Sequence, residues 1–376
     1  MEATWSESEV ARYHRHMLLP EIGAAGQQKL KAAHVLVVGA GGLGCPAALY
    51  LAAAGIGHLC IIDGDRVELS NLHRQVLFDT RDIGAPKAEA AAARLRALNP
   101  DVHVEGRVQR LTAANALELI APFDVVVDGS DRIATRYVGN DACVILKKPW
   151  VSAAIHRFEG QAMVYVPGAG PCYRCLFPDT GDDLVPNCAQ AGVLGVLPAV
   201  LGSIQATEAI KLLLGMGTTL AGRFLTYDAL GMRFHEYAAK RRSDCAVCGD
   251  HPSITRPQEL AVADPPGMHR FRPRELADIL ATPAGRSFWA LIDVREPHEF
   301  QAGHLPGAIN LPIGSLESRW KELPPDAQPV FLCRSGARSV AACGIASRRG
   351  CGAFAHLEGG LLAWAARVDP NLKVIA

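Results

Sequence analysis

The sequence has no net charge, because its 38 lysines and arginines match its 38 aspartates and glutamates. Proteins that attract nucleic acids or anionic membranes through their overall charge carry a basic excess, which this chain lacks. The N-terminal segment also lacks the basic start and apolar run of a secretory signal peptide. Residues 32–62 are apolar, but their glycines, their proline and the aspartates that follow fit a buried strand–helix–strand unit better than a membrane span. We therefore expect a cytoplasmic protein with neither a nucleic-acid nor a membrane partner.

Cysteine is present in an odd number, eleven in 376 residues. This usage favours a reducing compartment and metal or thiol chemistry over a disulfide framework. The length and the 49% hydrophobic content allow two or three domains of roughly 100–200 residues each. Residues 251–268 are rich in proline, alanine and polar residues and are predicted to form a linker between domains at 1–250 and 269–376. Both domains are predicted to be α/β.

Residues 31–65 follow the order of a nucleotide-binding unit: strand, glycine cluster, helix, strand and acid. The two strands are predicted at 34–38 and 58–62, with the glycine cluster from Gly39 to Gly44 and the helix at 46–54 between them. The acid is Asp63. The glycines allow the backbone to approach a polyphosphate, and the helix N-terminus offers free N–H groups and positive dipole. Asp63 is placed to accept a hydrogen bond from a ribose hydroxyl. A chain with this fingerprint alone would most often bind NAD or FAD.

The rest of the first domain is predicted to continue a doubly wound fold with a mainly parallel sheet and a β-rich extension. Residues 8–30 are predicted to form an amphipathic helical entry, and an alanine-rich helix is expected to carry Lys87 in its first turn. A cation there opposes the helix dipole, which favours a site that receives a phosphate. The alternative is an exposed lysine that slightly lowers the stability of the helix. Asp128 and Asp131 follow a buried strand, at the sheet edge where open α/β folds bind ligands.

Two Cys-x-x-Cys pairs lie about seventy residues apart in the first domain. Each pair stands beside a turn, as is typical of the ligands of a tetrahedral structural zinc ion. Unpaired thiols without a joint role and a redox pair are the alternatives, but thiol catalysis would not need the second pair. The predicted zinc ligands are Cys172, Cys175, Cys245 and Cys248.

A second reactive centre is predicted in the C-terminal domain, where a strand at 329–332 leads into a short loop and then a helix at 340–349. The loop consists of Cys333, Arg334, Ser335, Gly336, Ala337 and Arg338. A loop that wraps around a cysteine and enters a helix points backbone N–H groups at the sulfur, and two arginines add positive charge. This favours a thiolate or a persulfide over a buried cysteine that merely closes a strand. Cys343 and Cys351 are expected to pack in the core.

The C-terminal segments DVREPHEFQAGHLPGAINLP, CRSGAR and LEGGLLAW resemble a rhodanese domain over roughly residues 269–376. The resemblance implies that Cys333 carries a persulfide whose sulfur comes from an upstream cysteine desulfurase or another donor. A dual-specificity cysteine phosphatase is the rival for this fold, but a loop of six residues suits a single sulfur atom rather than a phosphate.

The first 250 residues resemble the E1-like adenylyltransferases that activate ubiquitin-like sulfur carriers, the molybdopterin-synthase sulfurylase group with its ThiF-type, Rossmann-like fold. The matching stretches include RYHRHMLLPEIG, GAGGLGCPAALYLAAAGIG, IIDGDRVELSNLHRQVLF, GAPKAEAAAARLRALNP, DGSDRIATRY, PCYRCLF, NCAQAGVLG and CAVC. Together they cover nearly the whole domain and are far more specific than a glycine fingerprint alone.

The family resemblance implies an ATP site rather than a dinucleotide site. Its residues would be Gly42, Asp63, Ser70, Asn71, Leu72, His73, Arg74, Lys87, Asp131 and Arg132, with Asp131 holding Mg²⁺. Arg132 departs from the asparagine that commonly follows this aspartate in the family. Arg15 would reach the ATP of the neighbouring subunit in a homodimer, and Cys188 would be able to take the acyl group from the adenylate.

The two resemblances together imply a relay. The first domain would adenylate the C-terminal glycine of a small ubiquitin-like carrier that ends in Gly-Gly, and the persulfide on Cys333 would then convert it to a thiocarboxylate, directly or by way of Cys188. The pathway could be that of molybdopterin, thiamine, cysteine or tRNA thiolation. A ubiquitin-type activating enzyme without sulfur transfer and a scaffold with a vestigial nucleotide site are the alternatives.

Overall fold

The computed structural model describes residues 5–178, 192–259, 265 and 267–375. These residues fall into two compact units, with 5–178 and 192–259 in the first and 265 and 267–375 in the second.

The first unit begins with two helices and then alternates strands and helices. In chain order its elements are α1 (Glu7–Met17), α2 (Gly23–Ala32), β1 (His34–Val38), α3 (Gly44–Ala53), β2 (His58–Ile62), α4 (Lys87–Leu98), β3 (His103–Arg107), α5 (Ala116–Ile120), β4 (Val125–Asp128), α6 (Ile133–Ile145), β5 (Trp150–His156), β6 (Glu159–Tyr165), α7 (Tyr173–Leu176), α8 (Leu197–Leu214), β7 (Arg223–Asp228) and β8 (Arg233–Ala238).

Eight strands form one sheet in the order β3-β2-β1-β4-β5-β6-β7-β8. The pairs from β3 to β5 are parallel, and β6, β7 and β8 extend the sheet in antiparallel fashion. The first parallel strands are buried on both faces, as their valine- and isoleucine-rich sequences predict. Val38 pairs with Ile62 on one side and Asp128 on the other, so three strands end together at one edge. This confirms the predicted α/β fold class, and the strand order reverses at β1 and β4, where such sheets bind ligands.

Three local predictions differ from the structure. The helical segment expected over residues 8–30 is present as two helices: α1 and α2 are separated by a turn that contains Pro20, after which Gly23 adopts φ +57°. Strand β8 was not predicted, because its side chains are all exposed and show no buried alternation. The apolar run over residues 193–214 predicts one long helix, but the helix begins at Leu197.

Helix α8 is the one helix of the described residues that is long and apolar enough to cross a membrane by length and composition. Half of its apolar window is buried inside the first unit. Its side chains join the core formed with α3 and the sheet, as in a buried helix of a globular domain.

The second unit is a five-stranded parallel sheet covered by helices. Its elements are β9 (Met268–Phe271), α9 (Pro273–Ala281), α10 (Pro283–Phe288), β10 (Trp289–Asp293), α11 (Pro297–Ala302), β11 (Ile309–Asn310), α12 (Ile313–Leu316), β12 (Gln328–Leu332), α13 (Ala337–Arg348), β13 (Phe354–Leu357) and α14 (Gly360–Arg367). The strand order is β11-β10-β12-β13-β9. Cys333 therefore follows the central strand directly.

Two predictions for this unit need correction. Helix α13 begins at Ala337, three residues before the predicted start, so the loop around Cys333 is shorter than expected. Strand β9 begins at Met268, a residue that was assigned to the linker. Cys343 is fully buried in the core as predicted, whereas Cys351 packs against the margin of that core and is only partly buried.

Candidate active sites

The glycine turn after β1 brings three backbone segments into direct contact. Gly39 has φ +92°, and a Cβ added at Gly44 would lie 1.8 Å from the carbonyl oxygen of Gly39. A Cβ added at Gly129, which follows β4, would lie 2.6 Å from the Cα of Gly44. The glycines thus allow the end of β4 to pack against the start of α3, and this packing forms the floor of a cavity.

The cavity opens at the carboxyl ends of β1, β2 and β4. The predicted residues that line it are Gly42, Asp63, Arg74, Lys87, Asp131 and Arg132. The Asp63 carboxylate is fixed from two sides, because it accepts hydrogen bonds from the backbone N–H groups of Ala40 at 2.8 Å and Asp65 at 2.7 Å. Burial raises the pKa of Asp63 above its ordinary value, and these hydrogen bonds and Lys87 act against that rise.

Lys87 is the first residue of α4 and its side chain is buried, with 8% of its surface exposed. It forms no ion pair with any carboxylate of the described residues. A buried ammonium without a partner is costly and is stabilised when an anion arrives, so the cavity is suited to a phosphate. Arg74 adds a second cation, and its guanidinium donates a 3.1 Å hydrogen bond to the carbonyl oxygen of Ser70.

The two aspartates that follow β4 have different roles. Asp128 is fully buried, accepts hydrogen bonds from the hydroxyls of Ser130 at 2.6 Å and Ser152 at 2.9 Å, and faces Arg136 at 3.5 Å. Burial raises its pKa, and Asp128 is not among the residues that line the cavity. Asp131 is exposed and lines the cavity, which leaves its carboxylate available to a cation.

Several predicted residues do not line this cavity. Ser70, Asn71, Leu72 and His73 lie in and just after a short 3₁₀ turn (Leu69–Asn71), and of the SNLHR motif Arg74 alone reaches the lining. Arg15 is exposed on α1 and does not line the cavity of its own chain. Cys188 lies outside the described residues.

The cavity also contains polar residues that sequence reasoning missed. They are Asp65, Gln75, Gln109, Arg110, Thr112, Thr135, Arg136 and Glu259. Glu259 was assigned to the linker, but its carboxylate accepts a 2.7 Å hydrogen bond from the backbone N–H of Ala113. Arg110 pairs with Asp65 at 2.5 Å. Asp65, Gln75, Thr135 and Arg136 lie inside stretches that carry the family resemblance, although no role was assigned to them. No motif marks the other four residues, which the sheet topology brings to the same edge.

The four predicted zinc ligands converge at one point. Their Sγ atoms all lie within 4.8 Å of one another, and three of the sulfur–sulfur distances are 3.3, 3.6 and 3.9 Å. Tetrahedral Zn–S bonds of about 2.3 Å place neighbouring sulfurs about 3.8 Å apart, so the spacing fits a zinc ion. The backbone N–H of Arg242 lies 3.4 Å from the Cys175 sulfur, the kind of second contact that orients metal-bound thiolates.

A buried ion pair attaches the first cysteine pair to α6. Arg174, between Cys172 and Cys175, donates two hydrogen bonds to Asp141 at 2.7 and 2.9 Å, and both side chains are almost fully buried. Asn140 accepts a 2.7 Å hydrogen bond from the backbone N–H of Tyr173. Since α6 begins beside Asp131, the cysteine cluster and the cavity share one rigid helix.

Cys333 lies at the bottom of a cradle of backbone N–H groups and is 1% exposed. Its sulfur accepts hydrogen bonds from the N–H groups of Gly336 at 3.1 Å and Ser339 at 3.4 Å, and the Ser339 hydroxyl lies 3.6 Å away. These donors and the N-terminus of α13 favour negative charge on the sulfur. The arrangement can hold a thiolate or a persulfide.

The two arginines of the cysteine loop differ in their partners. Arg338 makes two 2.6 Å hydrogen bonds to the carboxylate of Glu299, so most of its charge is already neutralised. Arg334 forms no ion pair with the described residues. Backbone N–H groups thus contact the sulfur directly, whereas Arg338 shares its charge with Glu299.

Two glycines of the LEGGLLAW motif support the cradle from behind. Gly359 and Gly360 have φ +71° and +62°, and a Cβ on Gly360 would lie 2.5 Å from the carbonyl oxygen of Cys333. Leu361 and Leu362 donate backbone hydrogen bonds of 2.8 and 3.0 Å to the carbonyls of Cys333 and Arg334. The motif was noted in the sequence, but its role as the support of the loop becomes clear only from the fold.

Comparison with known proteins assigns a different family to each of the two parts of the chain. The ThiF family matches residues 13–247, and the rhodanese-like domain matches residues 273–367. A sulfur carrier protein adenylyltransferase of Thermus thermophilus is 54% identical over 66% of this chain and 94% of its own length. A probable adenylyltransferase/sulfurtransferase, MoeZ, of Mycobacterium tuberculosis is 42% identical over 98% of this chain and 95% of its own.

Among solved structures, Escherichia coli MccB in complex with MccA-N7isoASN resembles the chain with a TM-score of 0.57 and 26% identity. The likeness covers 64% of this chain and 74% of MccB. The near full-length likeness to an adenylyltransferase/sulfurtransferase agrees with the nucleotide cavity and the cysteine cradle found on one chain. The chain therefore belongs to the ThiF family of E1-like enzymes, in the branch that also carries a rhodanese-like domain.

Proposed function

We propose that this enzyme uses ATP to adenylate the C-terminal glycine of a small ubiquitin-like sulfur carrier and then transfers sulfur from Cys333 to it. The observation that carries the proposal is that one chain combines a nucleotide cavity with a buried, unpaired lysine and a cysteine held by backbone N–H groups. The named relatives include both an adenylyltransferase and an adenylyltransferase/sulfurtransferase, which supports the pairing.

In the first step, the carrier carboxylate attacks the α-phosphorus of ATP, a new C–O–P linkage forms, and pyrophosphate leaves. A carboxylate is already a nucleophile at neutral pH, so the step needs no protein base. The charge that gathers on the phosphoryl oxygens requires cations, and we assign this role to Arg74 and Lys87. Asp63, held by two backbone N–H groups, is assigned to the ribose.

Mg²⁺ fits the exposed carboxylate of Asp131 in the cavity and would supply further positive charge to the phosphates. Zn²⁺ fits the four converging cysteines, where it would hold the β-rich part of the first unit together. We also propose contacts with the nucleotide from Ser70, Asn71, Leu72, His73 and Arg132. Arg15 is proposed to act on the neighbouring subunit of a homodimer, since it does not line its own cavity.

In the second step, the persulfide of Cys333 attacks the acyl carbon of the adenylate and AMP leaves. The resulting acyl persulfide has a sulfur–sulfur bond, and a second thiol attacks the Cys333 sulfur to release the carrier thiocarboxylate and leave a disulfide. An external thiol must then reduce that disulfide. In an alternative route, Cys188 is proposed to take the acyl group from the adenylate first, and the persulfide then attacks that thioester.

We further propose domains at 1–250 and 269–376 with a linker at 251–268. The proposed location is the cytoplasm, and the proposed sulfur donor is a cysteine desulfurase or another protein. A tether between the two domains would raise the effective concentration of persulfide near the adenylate.

ATP–pyrophosphate exchange that depends on a carrier ending in Gly-Gly, followed by mass measurement of the carrier, tests the proposal. A carrier that gains one sulfur in place of one oxygen supports it. Exchange without sulfur gain, with a competent donor present, leaves the ubiquitin-type alternative. Absence of exchange leaves the scaffold alternative.

A further inference from the structure

The second unit has a cavity lined mainly by arginines, apart from the cysteine cradle. Its charged residues are Arg270, Arg272, Arg274 and Arg367, with Glu275 and Glu358 as the two carboxylates. Arg270 has a partner of its own, and the three other guanidinium groups still exceed the two carboxylates, so the cavity keeps a positive charge. No step of the proposed reaction uses these residues.

The cavity lies at the same edge of the sheet as the reactive cysteine. Strands β12, β13 and β9 are parallel neighbours, and Cys333, Glu358 and Arg272 follow their respective carboxyl ends. Since neighbouring strands are about 4.8 Å apart, Arg272 begins about 10 Å from Cys333. Glu358 donates a 2.9 Å backbone hydrogen bond to Phe271, and the next residue, Gly359, packs against the cysteine loop.

Three of the four arginines of this cavity have no carboxylate partner among the described residues. Some arginines elsewhere in the unit do pair with carboxylates, as in Arg295–Asp293 and Arg319–Glu322. By contrast, Arg272, Arg274 and Arg367 form no ion pair with another residue in the part of the chain that the structure describes. All three are exposed, so their guanidinium groups are available to carboxylates outside the chain.

The spacing of the arginines favours a partner surface over a small anion. Arg272 directly follows β9, Arg274 lies in the first turn of α9, and Arg367 ends α14. Groups on three separate elements contact several carboxylates at once more readily than they enclose one small ion. A positive surface beside the cysteine would also steer an acidic partner toward it.

We propose that this arginine cluster docks an acidic surface of the protein that delivers sulfur to Cys333. The inference rests on the proposed function and names the chemistry of one partner. The Cys333 thiolate attacks the terminal sulfur of a donor persulfide, forming a new sulfur–sulfur bond while the donor's own breaks. The donor leaves as a thiolate, and the proton stays on the transferred sulfur, so neither oxidant nor reductant is needed.

Two synthetic peptides test the docking step on the full chain without ATP. Each carries one persulfidated cysteine, flanked by glutamates in one peptide and by lysines in the other, and mass spectrometry follows sulfur arriving on Cys333. The glutamate peptide should load Cys333 at least about tenfold faster at low salt, with the advantage lost as salt rises. The double variant R272E/R274E should reverse the preference, whereas K321E/K373E, the same charge change at exposed lysines outside the cavity, should keep it.

Equal loading by both peptides, or a preference that R272E/R274E leaves unchanged, would overturn the inference. Inorganic polysulfide must load wild type and variants at equal rates at high salt, where the charge of the cluster is screened from this small anion. If R272E/R274E fails this control, Arg367→Gln replaces it, and this variant must reduce the ratio of glutamate-peptide to lysine-peptide loading rates. An unchanged ratio in Arg367→Gln also refutes the docking. Pyrophosphate exchange on the same samples reports separately on the adenylation half of the proposed function.

Discussion

Replacing Gly360 by alanine is predicted to damage the cradle of Cys333 from behind. The new Cβ would lie 2.5 Å from the carbonyl oxygen of Cys333 and 2.6 Å from that of Arg334, on a backbone with φ +62°. The left-handed conformation costs an L-residue about 1–2 kcal/mol. The two hydrogen bonds from Leu361 and Leu362 to the same carbonyls contribute about 0.5–1.5 kcal/mol each, and the clash breaks or strains both. Together these effects predict a destabilisation of the second unit of about 2–5 kcal/mol.

The assay is denaturant unfolding of the full chain, followed by the rate at which polysulfide loads Cys333. Gly360→Ala should shift the transition of the second unit and slow loading, while carrier-dependent pyrophosphate exchange remains. The matched control is Gly314→Ala in α12, where an added Cβ would meet no atom within 4 Å; its effect should stay within about 0.5 kcal/mol. A Gly360→Ala protein with wild-type stability and wild-type loading would refute the proposed role of the glycine pair.

Three further outcomes are expected. Lys87→Met should lower pyrophosphate exchange by about 10- to 100-fold, because a charged contact of about 1.5–3 kcal/mol is lost; unchanged exchange would exclude a phosphate role. Cys172→Ser, or a strong chelator, should remove zinc measurable by elemental analysis and lower the melting temperature of the first unit; full zinc content in the variant would contradict the four-ligand site. Burial and the neighbouring His103 and His34 lower the pKa of His58 in the folded chain. Below about pH 6.5 the unfolded chain therefore binds more protons than the folded chain does. The contribution of His58 to the free energy of unfolding should be fully present above that pH and be lost as the pH falls below it. His58→Leu should flatten that decline, and an equally steep decline in the variant would argue against the assignment.

Much of the fold was predictable because its strands are strongly apolar and its turns carry glycine. The run from His34 to Val38 and the glycines after it specify a buried parallel strand and a tight turn, and the structure places both as expected. The joint site of the Cys-x-x-Cys pairs was also predictable, because their residue type and spacing indicate shared ligands. Their four sulfurs converge in the structure.

The features that could not be predicted depend on contacts between distant segments. Glu259 lines the nucleotide cavity although its own sequence context is that of a linker. Glu299 neutralises Arg338, a pairing that links residues 39 positions apart and leaves the arginine less available to Cys333. The exposed strand β8 shows no periodic burial and so carries no strand pattern. In each case tertiary placement, rather than local sequence, determines the role.

The most direct test of the proposed function is the mass of a carrier ending in Gly-Gly after incubation with the enzyme, ATP, Mg²⁺, a persulfide donor and a thiol reductant. The relay predicts replacement of one oxygen by one sulfur with wild-type enzyme. It predicts no sulfur gain but intact pyrophosphate exchange with Cys333→Ala. Sulfur gain by the Cys333→Ala enzyme, or loss of exchange in it, would contradict two separate sites that act in sequence.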